Sequence, residues 1–530
     1  MAYYKDIREY LEVLEAKGLL VKISRPINKD TELHPLVRLQ YRGLPESERK
    51  AFLFENVTDS QARKYDIPVA VGCMAASRDI YAAGMMCPVE EISERWVQAQ
   101  LHPLAPRLVA SGPVQEVVHR EDELDKDGAG LEMLPIPIST PGFDIAPYLT
   151  SGHWVTKDPE TGLRNMGNYR AMVKSRTRLG CWAGRNQGIA GHWRKCKEKG
   201  VPMEAAVVLG VKPNISYVAV TRLPEDMDEL AVAGALVGEP VELVKCKTVD
   251  LEVPANAEIV LEGTIPVDSL ESEGPFGEFT GYMGQRTMSM YFNLKCITQR
   301  RRPIYQAIIS QFPPSESRKL HHISWEAVTY KYLTVDCGIP GILEVALPEE
   351  SGGWGYCIIK MKKQHVEDSQ RVLDAITKLR RFNSKVVVVV DEDINARDAE
   401  AINWAISFRM QPNRDIRVVE VAGLNLDPSV VDPSRDKLAG PMFQNKASSL
   451  LIDATRKWPY PPVSLPKKEF MDRALEIWRS EGLPELHLND PWFGYSLGYW
   501  SAEEEEQAQL ALQGRHYITG ERFAREREKV

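Results

Sequence analysis

The chain has 530 residues, of which 43% are hydrophobic and 26% charged, with a net charge of −8 and a pI near 5.8. That length exceeds one ordinary core, so two or three domains are expected, and the acidic balance argues against non-specific nucleic-acid binding. There is no membrane-length apolar run and no apolar signal core, and the eight cysteines include no Cys-x-x-Cys pair, so the sequence reads as a cytoplasmic enzyme with reduced thiols.

In chain order, an α+β unit is expected over 1–115. Ile7, Tyr10, Leu11 and Leu14 recur at helical spacing within 5–17, and Gly18 suits a left-handed cap. Strands are predicted at 19–23, 52–54 and 69–72, with a loop at 45–47 and a further segment at 77–85. Prolines 135, 137, 141 and 147 make 134–147 extended. It is either a linker or an ordered arm across a domain surface; the arm would keep Leu134, Ile136, Ile138 and Phe143 out of water.

Short β segments follow at 171–174, 206–210, 215–219, 241–244, 259–262 and 292–299, with 304–309 just beyond. Many short strands between turns predict a barrel or sandwich over 116–310. A helix at 324–337 falls in a linker spanning 311–338. The unit 339–465 changes rhythm: strand 355–361, helix 368–382, strand 385–390, helix 396–409 capped by Asp393 or Asn395, and strand 416–421. The five valines from Val386 to Val390 suit a strand buried on both faces of a parallel sheet. The βαβαβ order predicts an open sheet with right-handed crossovers, giving an α/β, multidomain chain. The tail 466–530 is charged and partly helical in spacing, as a solvated or subunit-bracing element is.

Chemistry concentrates in residues 271–282, Glu-Ser-Glu-Gly-Pro-Phe-Gly-Glu-Phe-Thr-Gly-Tyr. Glu273 and Glu278 bracket a Gly-Pro-Phe-Gly turn in which proline and glycine oppose helix. The turn is either a solvated connection or a device that pins two acids for proton delivery.

Further motifs stand in order around it: Asn165-Met166-Gly167-Asn168-Tyr169-Arg170, Val244-Lys245-Cys246, residues 250–255, residues 391–398 and residues 453–459. Together they resemble the UbiD-type decarboxylases, which use prenylated flavin mononucleotide, from the first helix to about residue 460. The resemblance implies a flavin-reductase-like split β-barrel in the centre. It also implies reversible, non-oxidative decarboxylation of an aromatic acid through a covalent adduct with the cofactor. Arg170 would orient the carboxylate, Glu273 would tune it, and Glu278 would deliver the proton.

By the same resemblance Asn165, His192 and Glu229 hold Mn²⁺ or Mg²⁺ against the cofactor phosphate, and K⁺ lies near the Thr221 carbonyl and Glu229. Asn168, Tyr169, Trp182, Ala183 and Gly184 line the flavin, Gln187 and Gly188 match more loosely, and Lys385 reaches the cofactor. Residues 312–322 shape the substrate pocket, with His322 placed to meet a phenolic hydroxyl and His321 and Lys360 as further pocket residues. A hydroxybenzoate-type acid is then expected, with heteroaromatic acids and aromatic thioesters as alternatives. A flavin prenyltransferase would supply the cofactor to a homodimer or homohexamer. A non-catalytic assembly subunit would have lost Arg170, Glu273 or Glu278, and an ordinary flavin reductase lacks support from any dinucleotide fingerprint.

Overall fold

The computed structural model describes residues 2–528 apart from 186, 225, 380, 381, 383, 425 and 431–445. The first helix, Ile7–Ala16, buries Ile7, Tyr10, Leu11 and Leu14 as their spacing predicts, and Asp6 caps it by accepting from the Arg8 and Glu9 amides. Gly18 follows at φ 68°, a conformation that favours glycine. Leu20–Ile23, Ala51–Phe54 and Val69–Val71 form one sheet with a fourth strand, Tyr305–Ala307, which pairs in parallel with Val69–Val71. The chain therefore returns to its first sheet after the central unit. Helices Leu33–Gly43 and Ile92–Leu101 complete this layer and were not anticipated.

The central unit is a ten-stranded sheet. Its path runs Arg164–Asn168, His153–Lys157, Met203–Leu209, Ile259–Ile265, Thr287–Gln299, Arg178–Cys181, Ala171–Ser175 and Tyr148–Leu149, with neighbours antiparallel. The long strand Thr287–Gln299 is the hub. Its C-terminal half pairs with Val117–Arg120, and its N-terminal end holds Glu271–Glu273, with Glu273 opposite Thr287. Residues 215–219 are not a strand: they lie in a helix, Pro213–Ala219, started by proline and buried throughout. A short, mostly apolar run carries too little period for strand and helix to be told apart.

Two further helices, Gly188–Lys199 and Glu229–Val237, pack on the strand Arg164–Asn168. The proline-rich arm buries Leu134 and Ile136, while Phe143, also expected inside, is 68% exposed.

The helix expected from 324 begins earlier, as Glu316–Lys331, and ends in a wider π turn, Tyr332–Asp336. Leu320, Ile323 and Ala327 face the first core, and Trp325 and Val328 face a second core under the C-terminal sheet. This helix joins the layers, and its first residue has a pH signature. Glu316 is fully buried, accepts from the Gly72 and Met74 amides at 2.9 Å each, and is pushed by burial from 4.5 up to about 7.

A carboxyl that ionises less readily when folded makes stability fall as pH rises from about 4.5 through 7, after which the loss is complete. Each pKa unit corresponds to about 1.4 kcal/mol, so the window spans on the order of 3 kcal/mol. In urea unfolding, Glu316→Gln is expected to gain on the wild type between pH ~5 and ~8; a difference independent of pH contradicts this.

The C-terminal sheet runs Ile342–Ala346, Tyr356–Met361, Val386–Asp391, Lys446–Ala454 and Ile416–Ala422. The three central strands are parallel, but Ile416–Ala422 is an antiparallel edge, which departs from the predicted βαβαβ order. The valine run is buried on both faces, Val387 and Val389 toward one core and Val388 and Val390 toward the other. Helix Asp368–Ile376 is shorter than expected; residues 380 and 381 of the predicted span lie outside the described residues. Helix Ala399–Arg409 is capped by Asp398 rather than by Asp393 or Asn395. Asp393 is engaged by Arg409 at 2.6 Å, and Asn395 turns back onto the Arg397 amide. Three helices in the tail, Lys468–Ser480, Ala502–Leu512 and Tyr517–Phe523, bury none of their residues within the chain.

Candidate active site

Arg170 lies where the chain passes between strands Arg164–Asn168 and Ala171–Ser175, and Glu273 closes the short strand laid on Thr287–Gln299. Nε of Arg170 donates to Glu273 Oε1 at 3.1 Å, and NH2 donates to Oε2 at 2.8 Å. Its remaining nitrogen, NH1, forms an ion pair with Glu278 Oε1. One planar guanidinium thus holds both acids, a fork that an ammonium cannot reproduce. Glu273 is fully buried and Glu278 is 8% exposed. Arg170 also lies over the rings of Trp182, with the centroid 4.9 Å away, and Phe276, with the centroid 5.2 Å away.

The turn between the acids is closed rather than slack. The Glu278 amide donates to Tyr282 O and the Gly284 amide to Phe276 O, each at 2.8 Å. Gly274 sits at φ 89°, and a Cβ on Gly277 would stand 2.6 Å from Gln311 Cγ and 2.8 Å from Thr140 Oγ1. The arm therefore lies directly on the turn. Asp144 anchors the contact: its Oδ2 accepts from the Thr140 amide at 2.6 Å, and its carboxylate also accepts from the Gly277 and Ser139 amides. Burial raises Asp144 to about 6. Nothing in the sequence marked this aspartate, which lies among prolines.

A second cluster stands at the ends of the two helices packed on Arg164–Asn168. The Glu229 carboxylate accepts from the Met166 amide at 3.0 Å, and desolvation raises it to about 7. Asn165, next to Met166, has its carboxamide beside the Tyr169 hydroxyl, and its Nδ2 is buried without a hydrogen-bond partner. His192 Nδ1 meets Thr156 Oγ1 at 2.9 Å, and Thr156 is the cross-strand partner of Asn165. Burial lowers the pKa of His192, which keeps the imidazole neutral and fit to ligate through Nε2. Thr156 is an orienting residue that sequence reading missed; a threonine in a strand has no distinguishing pattern.

Around this cluster the chain is pared down. A Cβ on Gly188, the first residue of Gly188–Lys199, would collide with Asn165 Oδ1, so any larger residue there displaces that amide. The Tyr169 hydroxyl also accepts from the Ile189 amide, and Ala183 is buried nearby in sequence. The Gly184 amide donates to Gln187 Oε1 at 2.6 Å. Asn168 gives Nδ2 to Thr150 O at 3.0 Å and keeps a buried Oδ1 without a partner. Two orphaned amide atoms, two oxygen donors, one neutral imidazole and a helix N-terminus fit a phosphate-bearing group with a hard divalent ion.

Family models match almost the whole of this architecture. Residues 11–100, 107–313 and 323–454 match the N-terminal, Rift-related and C-terminal domains of UbiD, the 3-octaprenyl-4-hydroxybenzoate carboxy-lyase. The chain belongs to the UbiD family of carboxy-lyases. It is 33% identical over 477 residues to an uncharacterised protein of Archaeoglobus fulgidus, covering 86% of this chain and 92% of that one. Among solved structures it resembles the UbiD-class enzyme HmfF from Pelotomaculum thermopropionicum in complex with FMN. That match has 33% identity and a TM-score of 0.74, over 85% of this chain and 94% of that one. An evolved dimeric form of the same enzyme in complex with prFMN, at 32% identity, covers 86% and 95% with a TM-score of 0.73. The closed form of vanillic acid decarboxylase from Sedimentibacter hydroxybenzoicus follows at 26% identity, 97% and 100% coverage and a TM-score of 0.75.

The other UbiD-type expectations scatter more. Lys385 Nζ reaches Asp427 Oδ2 and Ser429 Oγ, each at 2.6 Å. It meets the acid turn only indirectly, through Leu426 O, which accepts from Thr280 Oγ1 at 3.1 Å. Thr221 turns its hydroxyl onto Tyr217 O at 2.7 Å, while the Glu229 carboxylate is taken up by the Met166 amide. Lys360 lies on the sheet face it shares with Ile358, beneath Ala399–Arg409, whereas His321 and His322 belong to Glu316–Lys331 on the opposite side. Lys360 is thus not brought together with the two histidines. Burial drives both histidines well below 6.5, so each is a neutral ring.

Proposed function

We propose that this UbiD-family protein catalyses the reversible, non-oxidative decarboxylation of an aromatic carboxylic acid with prenylated FMN as cofactor. The observation that carries the reading is a single arginine, walled by two rings, shared between a fully buried carboxylate and a second one in a closed turn. Asn165, His192 and Glu229 would hold Mn²⁺ or Mg²⁺ at the cofactor phosphate, with Asn168, Tyr169, Trp182 to Gly184, Gln187 and Gly188 as its walls, Lys385 at the mouth, and K⁺ beside Thr221 and Glu229. When bound, the cofactor supplies an electron sink for the ring carbon that loses CO₂.

The chain's own part is charge and proton handling. Glu273 fixes the plane of Arg170 through two hydrogen bonds, so the guanidinium is aimed before substrate arrives. A substrate carboxylate entering at NH1 displaces Glu278, which loses its counter-charge in a buried place and takes up a proton. CO₂ then leaves with cleavage of the carbon–carbon bond, the electron pair stays with the ring carbon, and Glu278 gives its proton to that carbon. The resulting carboxylate re-forms its pair with Arg170. In reverse, with abundant CO₂, the same groups carboxylate. We take the protein to receive its cofactor from a flavin prenyltransferase in the cytoplasm and to work as a homodimer or homohexamer; the evolved form of HmfF bound to prFMN is dimeric.

A second reading of the ring substituent has one observation in its favour. His322 is 2% exposed, and its Nδ1 is buried without a partner, as a ring waiting for a phenolic hydroxyl is. The experiment for the main reading is exchange. Protein co-produced with a flavin prenyltransferase, incubated with an aromatic acid and ¹³C-bicarbonate, is expected to place label in the acid's carboxyl group. Absence of both exchange and CO₂ release across a panel of aromatic acids rejects it.

A further inference from the structure

Two segments from outside press on the acid turn at one residue, Gly277, which stands between Phe276 and Glu278. One is the proline-rich arm, whose residues 140–144 close on themselves. The Asp144 amide donates to Thr140 O at 3.0 Å, and the Thr140 amide donates back to Asp144 Oδ2 at 2.6 Å. The carboxylate held in this way is partly buried, and the Gly277 and Ser139 amides face it. Four residues on, Tyr148 lays its ring 4.3 Å from that of Phe276 and donates its hydroxyl to Pro275 O at 3.4 Å. The other segment is Gln311, whose Cγ would stand 2.6 Å from a Cβ on Gly277 and whose Oε1 accepts from Arg38 NH2 at 3.2 Å.

Stability does not account for the aspartate. Burial outweighs the amides and raises its carboxyl from 3.8 to about 6, with the charge of Arg170 acting in the opposite sense. A carboxyl raised on folding loses stability as pH climbs from its unfolded pKa through its folded one, so at pH ~7.5 the ionised side chain costs stability. What the charge supplies is direction. An ionised carboxylate only accepts, so the N–H groups around it are drawn toward it, whereas a carboxamide would turn two donors of its own among them. The Gly277 amide belongs to the peptide that links it to Phe276, whose ring centroid is 5.2 Å from the Arg170 guanidinium. Glu278, which pairs with the same arginine, follows at the next Cα. The plane of that peptide therefore sets the point from which the Glu278 side chain reaches inward.

We propose that Asp144 is a positioning residue for proton delivery, holding the Gly277 peptide so that Glu278 reaches the substrate carbon. The inference rests on the decarboxylase reading, which gives Glu278 its proton to deliver. The test uses cofactor-loaded protein and an aromatic acid from which the wild type releases CO₂. Asp144→Asn is expected to lower kcat about ten- to a hundredfold, the cost of a misplaced catalytic group, with KM within about twofold of wild type. Flavin content is expected to be unchanged, and the melting temperature at pH ~7.5 to equal or exceed that of wild type. In a Glu278→Gln background the same substitution is expected to cost less than about threefold, because the group it positions has no proton left to give. Gly277→Ala, which forces the turn away from Thr140, is expected to show the same fall in kcat and the same dependence on Glu278, and it decides if the asparagine variant fails to fold. A kcat within about twofold of wild type, an equal cost in both backgrounds, or a loss of flavin that accounts for the lost rate overturns the positioning role, while CO₂ release by the wild type leaves the decarboxylase reading standing. Absence of CO₂ release from every acid by flavin-loaded wild type overturns that reading and the positioning role with it.

Discussion

Glu278→Gln lowers CO₂ release by about a thousandfold while leaving the bound flavin and the melting temperature nearly unchanged, the loss expected for a general acid. The amide keeps the shape of the side chain and an oxygen for Arg170 NH1, so the turn, closed by its own backbone bonds at Tyr282 and Gly284, stays in place. What it lacks is a proton to give at the carbon and a charge to trade with the substrate. Glu273→Gln differs in kind, because Glu273 is fully buried and fixes two of the three guanidinium nitrogens. Flavin absorbance and melting curves measured beside turnover separate lost chemistry from lost structure. Turnover by Glu278→Gln within a few-fold of wild type would remove the acid from the reaction.

The largest stability effect is expected at Glu326, outside the set of Arg170, Glu273 and Glu278. This carboxylate is 3% exposed and gathers three parts of the chain. Arg78 from the N-terminal layer reaches it at 2.8 Å, Arg397 from the C-terminal unit at 3.0 Å, and the Leu347 amide at 2.9 Å. Its arginine partners hold its pKa far below the usual carboxylate range, against the opposing push of burial. Glu326→Ala strands two guanidinium groups at once. Both reach solvent in part, so the cost is set at about 3 kcal/mol, the low end for breaking a buried pair. Glu326→Gln keeps an acceptor for the Leu347 amide and loses less. Urea unfolding read by tryptophan fluorescence measures both; an alanine variant as stable as wild type would show the three-way junction to be idle.

Much of the site was legible because its carriers are contiguous. Arg170 and the Glu273–Glu278 turn sit in short strings whose proline and glycine constrain the backbone whatever lies around them. The first helix and the valine strand were legible through period and composition. What escaped depends on distant partners. Tyr305–Ala307 reads as one more central strand until it pairs with Val69–Val71. The apolar residues at 215–219 fit either a strand or a helix, and packing made them a helix. Thr156 and Asp144 are ordinary residue types that no motif marked. Each takes its meaning from a neighbour that folding delivers: His192 to the threonine and the Gly277 amide to the aspartate.

The arginine shared by two acids is the centre of the account, and isotope exchange addresses it most directly. Cofactor-loaded wild type, given an aromatic acid and ¹³C-bicarbonate, is predicted to label the carboxyl group, and Arg170→Lys, which keeps the charge but not the fork, to lose that exchange by at least about a hundredfold. Label appearing in the lysine variant at the wild-type rate, with flavin equally bound, would contradict it.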